Sequence, residues 1–195
     1  MARRAIVALA LIGAAVTGCG PSPAAEVEAS EAVTTTTRTP RITDDSGRPP
    51  VTFDPCYDIP DEVMEAAGYN AAKKKLADMP MGSYTFLGCT YTKEERIPGM
   101  RRGYGLNILS GNVTIEEELE KNGHIATHTT INGRPALLEV DPDSKDACKY
   151  ALPTDFGVVF LTRIYNKDHP GPVPHDMWCE GMEDFVASVE PYIEN

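Results

Sequence analysis

Five cysteines carry the most reactive side chains of this sequence, and their positions limit the chemistry that the chain can perform. They are Cys19, Cys56, Cys89, Cys148 and Cys179. No two of them form the C-x2-C pair that structural zinc sites commonly use, so the sequence predicts no metal site. Cys19 lies in the tetrapeptide V-T-G-C near the N-terminus, far from the next cysteine, and is considered separately from the other four.

The segment before Cys19 has the layout of an export signal. A basic start, M-A-R-R, precedes an apolar run of 12 residues from Ala5 to Val16. A membrane-spanning helix needs about 20 such residues, whereas a short apolar run behind a basic N-terminus is typical of a secretory signal peptide. The sequence therefore predicts a signal peptide over residues 1–18.

V-T-G-C itself resembles the lipobox of bacterial lipoproteins. In those proteins the cysteine thiol receives a diacylglyceryl group, the signal is cut before the cysteine, and the new amino end is commonly acylated. The resemblance implies that Cys19 is lipidated and holds the chain on the extracytoplasmic face of the cell membrane, with several acyl chains because one anchors only marginally. The alternative is an unmodified Cys19 in a cleaved signal region.

The balance of charge argues against other classes of partner. The chain has 29 acidic and 18 basic residues, a net charge of −11, and loss of the two arginines of the signal peptide would make it −13. Nucleic acids are bound mainly through lysine and arginine contacts to phosphates, so we expect no nucleic-acid partner. For the same reason we do not expect the domain to lie on anionic lipid through a basic face.

The four remaining cysteines predict two disulfides, since an even number in an exported chain is typical of a disulfide framework. Three connectivities are possible, and we favour Cys56–Cys89 and Cys148–Cys179 because each bridge joins near neighbours in the chain. A bridge that closes a loop of this size contributes roughly 3–4 kcal/mol by restricting the unfolded chain.

The histidines do not indicate a catalytic or metal-binding set. His124 and His128 share one face of a predicted strand, but four residues of strand separate them by about 13 Å, too far to share a metal ion. His169 and His175 fall in a proline-rich loop, where a solvated turn and a helix N-cap are sufficient explanations.

Serine and glutamate side chains also lack a catalytic pattern. Ser83 and Ser110 do not occur in the G-x-S-x-G turn of serine hydrolases. Glu116–Glu118 and Glu120 lack the spacing of a calcium loop, and we expect them to form a solvated helix start stabilised by the helix dipole. The sequence therefore predicts no enzyme activity and no cofactor.

The rest of the chain predicts a tether followed by one domain. Residues 19–52 are rich in Pro, Thr, Ser and Asp and are expected to form a flexible tether, because they bury too little apolar surface to offset ordering entropy. Residues 53–195 are expected to form a single domain. Asn132-Gly133 between two extended runs favours a type I′ hairpin turn. Extended segments are predicted over residues 84–92, 104–110, 124–131, 134–140, 147–152 and 156–165.

Helical segments are predicted over residues 61–67, 71–78, 114–121 and 176–192. Gly68 suits a helix end, Thr114 and Glu117 form a capping-box pattern, and the last segment has an apolar stripe at helical spacing. Consecutive strands with short connections favour antiparallel pairing. The predicted class is α+β, with an antiparallel sheet of about five or six strands, helices mainly on one face, and two disulfides.

The order of short motifs over roughly residues 53–192 resembles that of one family. F-D-P-C opens the domain, a helix and Gly68 follow, and then come Gly88-Cys89, N-G-R-P-A, A-C and W-C. Behind a lipobox, this order is similar to that of small secreted actinobacterial lipoproteins grouped as domain of unknown function 3558. Tyr91 stands where that family often has tryptophan. The resemblance implies a cell-envelope protein and no defined activity.

These observations lead to three functional hypotheses. The first is a non-enzymatic, lipid-anchored binding domain with a small-molecule or protein partner, because the fold signals come without a catalytic set. The second is an accessory subunit that docks on an envelope complex, and the third is an enzyme with a dispersed site. Candidate residues for the lining of a binding site are Tyr84, Tyr91, Met100, Arg101, Arg102 and Tyr104, and for each of them core packing is the favoured alternative.

Overall fold

The computed structural model describes residue 42 and residues 45–97, 100–143, 147–165 and 177–193. The chain divides into two units, residues 1–38 and 39–195, and all described residues belong to the second. The predictions for the signal peptide, for Cys19, for most of the tether and for His169 and His175 therefore lie outside the described residues.

A single antiparallel sheet forms the scaffold. Its eight strands in the described residues are β1 (Lys75–Leu76), β2 (Met79–Met81), β3 (Tyr84–Ile97), β4 (Met100–Gly111), β5 (Ala126–Ile131), β6 (Arg134–Glu139), β7 (Ala147–Thr154) and β8 (Gly157–Tyr165). They pair in the order β1-β3-β4-β8-β7-β6-β5, and β2 also pairs with β3 beside β1. Asn132 and Gly133 both have positive φ, 51° and 86°, in the turn between β5 and β6, as the predicted hairpin requires.

The α+β class and the antiparallel sheet are confirmed, and all six predicted strands are present. The sheet has eight strands instead of five or six, because two short strands add to the edge of β3. The helix predicted over residues 71–78 is wrong: Ala71–Lys73 form one 3-10 turn, after which Lys75 and Leu76 pair with β3. Gly88 permits this pairing, since a side chain there would collide with the Ala77 carbonyl.

The helices cover both faces of the sheet unequally. They are α1 (Asp61–Ala66), α2 (Ile115–Asn122) and α3 (Met182–Val189). The larger core lies on the face from which Ile108 and Leu161 project, here called the front face, and it includes Met64 of α1 and Phe185 of α3. On the opposite face, the back face, α2 packs against Phe160. Two of these three helices thus share one face, as predicted, and α2 is the exception.

Helix α3 is shorter than predicted at its N-terminal end. The apolar stripe is buried as expected, but the helix begins at Met182 because Gly181 adopts a left-handed φ of 66°. Residues Trp178–Gly181 form a turn that the Cys148–Cys179 disulfide holds against β7. A 3-10 turn, Glu190–Tyr192, continues the chain after α3.

Both predicted disulfides are present, and both fasten front-face segments to the sheet. Cys56–Cys89 ties the segment before α1 to β3, with a Cα–Cα distance of 5.0 Å. Cys148–Cys179 ties the turn before α3 to β7, with a Cα–Cα distance of 5.3 Å. The helices that stand on the front face are therefore cross-linked to the strands beneath them.

A buried ion cluster attaches α2 to the back face. Lys149 Nζ lies 2.6 Å from Glu118 Oε1 and 2.5 Å from Glu139 Oε2. Glu118 is buried, so the prediction that this helix start is solvated is wrong for that residue. Burial raises the pKa of Glu139 to about 7 against the opposing effect of Lys149. Burial acts on Glu118 too, but hydrogen bonds from Lys149 and Asn122 lower its pKa.

The capping box predicted for α2 is present, and its glutamate also binds Arg48, a residue that the sequence assigned to the tether. Thr114 and Glu117 exchange the two hydrogen bonds of the motif. Arg48 donates to both carboxylate oxygens of Glu117, at 3.0 and 2.7 Å, and its guanidinium lies 4.3 Å from the centre of the Tyr84 ring. The chain is thus fixed to the domain at Arg48, ahead of residue 53.

Removal of one disulfide tests its contribution to stability. We expect the paired change Cys148→Ala with Cys179→Ala to lower the free energy of unfolding by roughly 3–4 kcal/mol. The two cysteines are 31 residues apart, and without the covalent loop between them the unfolded chain gains conformational entropy. Urea unfolding measures the change, with the reduced wild-type protein as a comparison. A loss below about 1 kcal/mol would show that the bridge adds little to the folded state.

The Lys149 cluster predicts a specific dependence of stability on pH. Between about pH 4.5 and pH 7, folded Glu139 keeps a proton that the unfolded chain has released, so this carboxyl group stabilises the fold less as the pH rises. We expect the wild type to lose roughly 1–3 kcal/mol more than Glu139→Gln between pH 5 and pH 7.5. Denaturant unfolding at both pH values measures this difference, and Glu120→Gln, at an exposed position of α2, is the control. Parallel pH profiles for wild type and Glu139→Gln would contradict the burial of an ionisable Glu139.

Candidate functional site

A cleft opens on the front face between α1 and α3. Its volume is about 500 Å³, within the range of roughly 300–1,000 Å³ that is usual for small-molecule sites. Val63 and Ala66 of α1, together with Ala67 directly after the helix, form one wall, and Phe185 and Ser188 of α3 form the other. Tyr69, Lys93 and Arg163 lie at the base, and Glu62 and Asp184 are exposed at the mouth.

Local signals in the sequence place the α1 wall. Asp61 and Glu62 stand in the first turn of the helix, where carboxylates interact favourably with the helix dipole. Gly68 ends the helix with a φ of 83°, and the following amide, of Tyr69, donates to the Met64 carbonyl at 2.9 Å. This turn directs Tyr69 toward α3, where its ring centre lies 5.2 Å from that of Phe185.

Arg163 lies in the buried part of β8, a central strand of the sheet. Side chains alternate along β8, so Arg163 projects to the front face with Leu161. Only 7% of the residue is exposed. Its Nη2 donates to the Trp178 carbonyl at 2.7 Å, and the guanidinium lies 5.5 Å from the ring centre of Tyr104 and 5.6 Å from that of Tyr165. A main-chain bond and two aromatic rings therefore fix the orientation of this cation.

The charge of Arg163 has no carboxylate partner among the described residues. Its Nε is enclosed without an acceptor, and Nη1 makes no hydrogen bond with any of them. An arginine does not lose its proton in a protein, so the charge persists at the base of the cleft. Burial of a charge without a counter-charge is unfavourable by several kcal/mol. Arg163 therefore has unused capacity to bind an anion.

A second cation, Lys93, is already neutralised. Its Nζ lies 2.8 Å from Glu95 Oε1, and the Tyr104 hydroxyl donates to Glu95 Oε2 at 2.9 Å. Burial alone would raise the pKa of Glu95, but the hydrogen bonds from Lys93 and Tyr104 lower it. Burial raises the pKa values of Tyr69 and Tyr104 to about 12, so both phenols are neutral hydrogen-bond donors at physiological pH.

The tyrosines predicted to line a site are in three different environments. Tyr104 lies beside Arg163, as described above. Tyr91 is buried in the core, where its hydroxyl donates to the Pro55 carbonyl at 3.2 Å, and Tyr84 is on the back face beside Arg48. Because side chains alternate along a strand, residues 84 and 91 of β3 project to opposite faces.

The basic pair predicted to line the same site is also divided between the two faces. Arg101 is exposed and pairs with Glu94 at 2.6 Å, whereas Arg102 lies over Tyr165 with its guanidinium 5.9 Å from the ring centre. The side chain of Met100 lies outside the described residues. Tyr104 lies beside Arg163 and Arg102 lies near Tyr165, but neither is among the residues that line the cleft. Sequence reasoning missed Tyr69, Lys93 and Arg163, which do line it. The available signal for Arg163 was its position within the apolar run V-V-F-L-T-R-I-Y.

The histidines that the structure describes do not form a site. His124 belongs to the turn after α2, not to a strand as predicted, and His128 is on β5; both are exposed. No group of three or more His, Cys, Asp or Glu residues in the described ranges is arranged to hold a metal ion. Across the same ranges, no helix has the length and apolar character needed to span a bilayer.

Comparison with known proteins gives a family and no characterised relative. Residues 14–192 match the family model described as protein of unknown function DUF3558. No curated protein and no solved structure matches the sequence. The match spans most of the chain, including both disulfides and all residues of the cleft. The chain belongs to the DUF3558 family.

Proposed function

We propose that this chain is a lipid-anchored extracytoplasmic binding protein whose ligand site is the cleft between α1 and α3. The observation that carries the proposal is Arg163, a buried cation at the base of that cleft that pairs with no carboxylate of the described residues. Such a residue weakens the fold when the cleft is empty, because its charge has lost part of its hydration. A ligand that supplies the missing partner would recover this free energy.

The chemistry of the cleft favours binding over catalysis. Arg163 provides a fixed charge, and the Tyr69 phenol provides a neutral donor because its pKa is raised to about 12 by burial. These groups hold and orient a ligand, whereas abstraction of a proton near neutral pH would need a group with a pKa closer to 7. The function proposed for the cleft is therefore non-enzymatic.

The two disulfides support a location outside the cytoplasm. Disulfides form and persist mainly in exported proteins, and those of this chain are Cys56–Cys89 and Cys148–Cys179. This agrees with the signal peptide and the lipidated Cys19 proposed from the sequence. The tether would then place the cleft near the outer surface of the membrane without a requirement for direct lipid contact by the domain.

A second candidate function is docking on an envelope complex, and one surface favours it. Leu76, Met79 and Met81 are exposed on β1 and β2, the two short strands at one edge of the sheet. A sheet edge offers main-chain hydrogen bonds to an added strand, and apolar side chains beside it add contact area. In this alternative the partner is a protein.

Blocking the cleft tests the proposed site. Ala66 is an exposed residue of the α1 wall, so Ala66→Trp is expected to fill the mouth of the cleft with little effect on the core. Glu65→Trp, on the same helix and also exposed but outside the lining, is the matched control. Native mass spectrometry of protein extracted gently from its own cell envelope should show a stoichiometric small molecule on wild type and Glu65→Trp, and at least ten-fold less on Ala66→Trp.

Two results of this measurement would contradict the proposed site. A small molecule retained equally by Ala66→Trp would place the ligand elsewhere on the domain. A co-purified protein without a small molecule would favour the docking function, and it should then be lost on Met79→Lys with Met81→Lys at the exposed edge.

Replacement of Cys19 tests the membrane anchor. We expect Cys19→Ser to move the protein from the detergent phase to the aqueous phase in a phase-partition experiment, because no acyl chains can then be attached through the thiol. Intact mass of the wild type should exceed that of the unmodified mature chain by the mass of the lipid. If Cys19→Ser still required detergent for extraction, the proposed anchor would be wrong.

A further inference from the structure

The ligand class follows from what the base and the walls of the cleft each offer. We infer that Arg163 binds the anionic head group of an amphipathic ligand, a carboxylate or a phosphate, while the apolar body of the ligand lies between α1 and α3. This inference rests on the proposed function of the cleft and adds the chemical nature of its ligand.

The distribution of charge around the base identifies Arg163 as the anchor. The chain carries 29 acidic residues against 18 basic ones, yet none of the described carboxylates pairs with Arg163. Glu95, the acidic residue of this cluster, is occupied by Lys93 and by the Tyr104 hydroxyl. In an acidic protein, an arginine left without a carboxylate at the base of a cleft is suited to an anion from outside.

Arg163 lines the cleft, and its guanidinium is held in position before a ligand binds. Arg163 is opposite Cys148 in the pairing of β7 with β8, and Cys148 is bonded to Cys179, the residue after Trp178. The Trp178 carbonyl thus holds the guanidinium through Nη2, while Nη1 makes no hydrogen bond with any described residue. A donor fixed in this way binds an anion with little loss of side-chain entropy.

The walls indicate that the ligand has an apolar part. Val63 of α1 and Ala67, directly after that helix, line the cleft together with Phe185 of α3. The exposed carboxylates of Glu62 and Asp184 stand at the mouth, where they oppose binding of a small inorganic anion by charge repulsion. Burial of an apolar chain along the walls adds about 25 cal/mol for each Å² removed from water and offsets this repulsion. An amphiphile satisfies both parts of the cleft.

A set of four ten-carbon compounds separates the head group from the body. Decanoate, decyl phosphate, decanol and decylammonium share the same alkyl chain and are titrated into the mature full-length chain carrying Cys19→Ser. Trp178, the single tryptophan, lies beside Arg163 and reports binding by fluorescence. A hydrogen bond to a charged group is worth about 1.5–3 kcal/mol, so at least one anionic compound should bind roughly ten-fold or more tightly than decanol.

The two anionic compounds distinguish the possible sources of the ligand. Preference for decanoate would indicate a carboxylate ligand such as a fatty acid, and preference for decyl phosphate would indicate a phosphorylated lipid. Either preference supports the inference. Equal affinity for decanol, or tighter binding of decylammonium, would overturn it and leave the cleft as an apolar binding site, so that the proposed function would stand. Absence of binding by all four compounds would also overturn it.

A matched pair of variants tests the role of Arg163 itself. Arg163→Met keeps the apolar stem and removes the charge, and we expect the preference for the anion over decanol to fall at least ten-fold. Arg134→Met is the control, because Arg134 is also largely buried but pairs with Glu190 and with the carbonyls of Pro153 and Ile193 away from the cleft. It should retain the preference. The ratio of the two affinities is unaffected by a general loss of stability, so an unchanged ratio in Arg163→Met would overturn the inference.

Discussion

The front face of this domain depends on a constraint set by the length of its helices. Helices α1 and α3 have six and eight residues, and isolated helices shorter than about 12–15 residues are marginal in water. They are stable here because the antiparallel sheet offers an apolar surface and the two disulfides fasten the adjoining segments to β3 and β7. The cleft is the space between these two short helices, each of which packs on the sheet.

Burial of the Arg163 charge lowers the stability of the domain when no anion is bound, and it favours binding of an anion. Two tyrosine rings and one carbonyl group compensate part of the loss of hydration, but no described carboxylate neutralises the charge. The Lys149 cluster on the back face is a useful contrast, because its partly buried cation has two carboxylates within 2.6 Å. A cation that is less buried than Arg163 is thus paired where only stability is needed, and binding sites are where local instability is commonly retained.

The sequence predicted the parts of the fold that depend on neighbouring residues. The Asn132-Gly133 turn and the capping box at Thr114 follow from short spacings, both disulfides follow from the order of the cysteines along the chain, and all are present. The Ala71–Asp78 helix failed because the pairing of Lys75 and Leu76 with β3 outweighs local helix propensity. The cleft was missed because its residues come from α1, β3, β8 and α3, which only the strand order brings together. In the sequence, Arg163 is only one residue of an apolar strand. That no described carboxylate lies close enough to pair with it can be seen only from the structure.

The most direct test of the account is a crystal structure of the protein extracted from its own cell envelope without removal of bound molecules. The account predicts electron density in the cleft with an anionic group within hydrogen-bond distance of Arg163 Nη1 and an apolar part between Val63 and Phe185. A cleft that contains only water, or a carboxylate of the chain itself paired with Arg163, would contradict it.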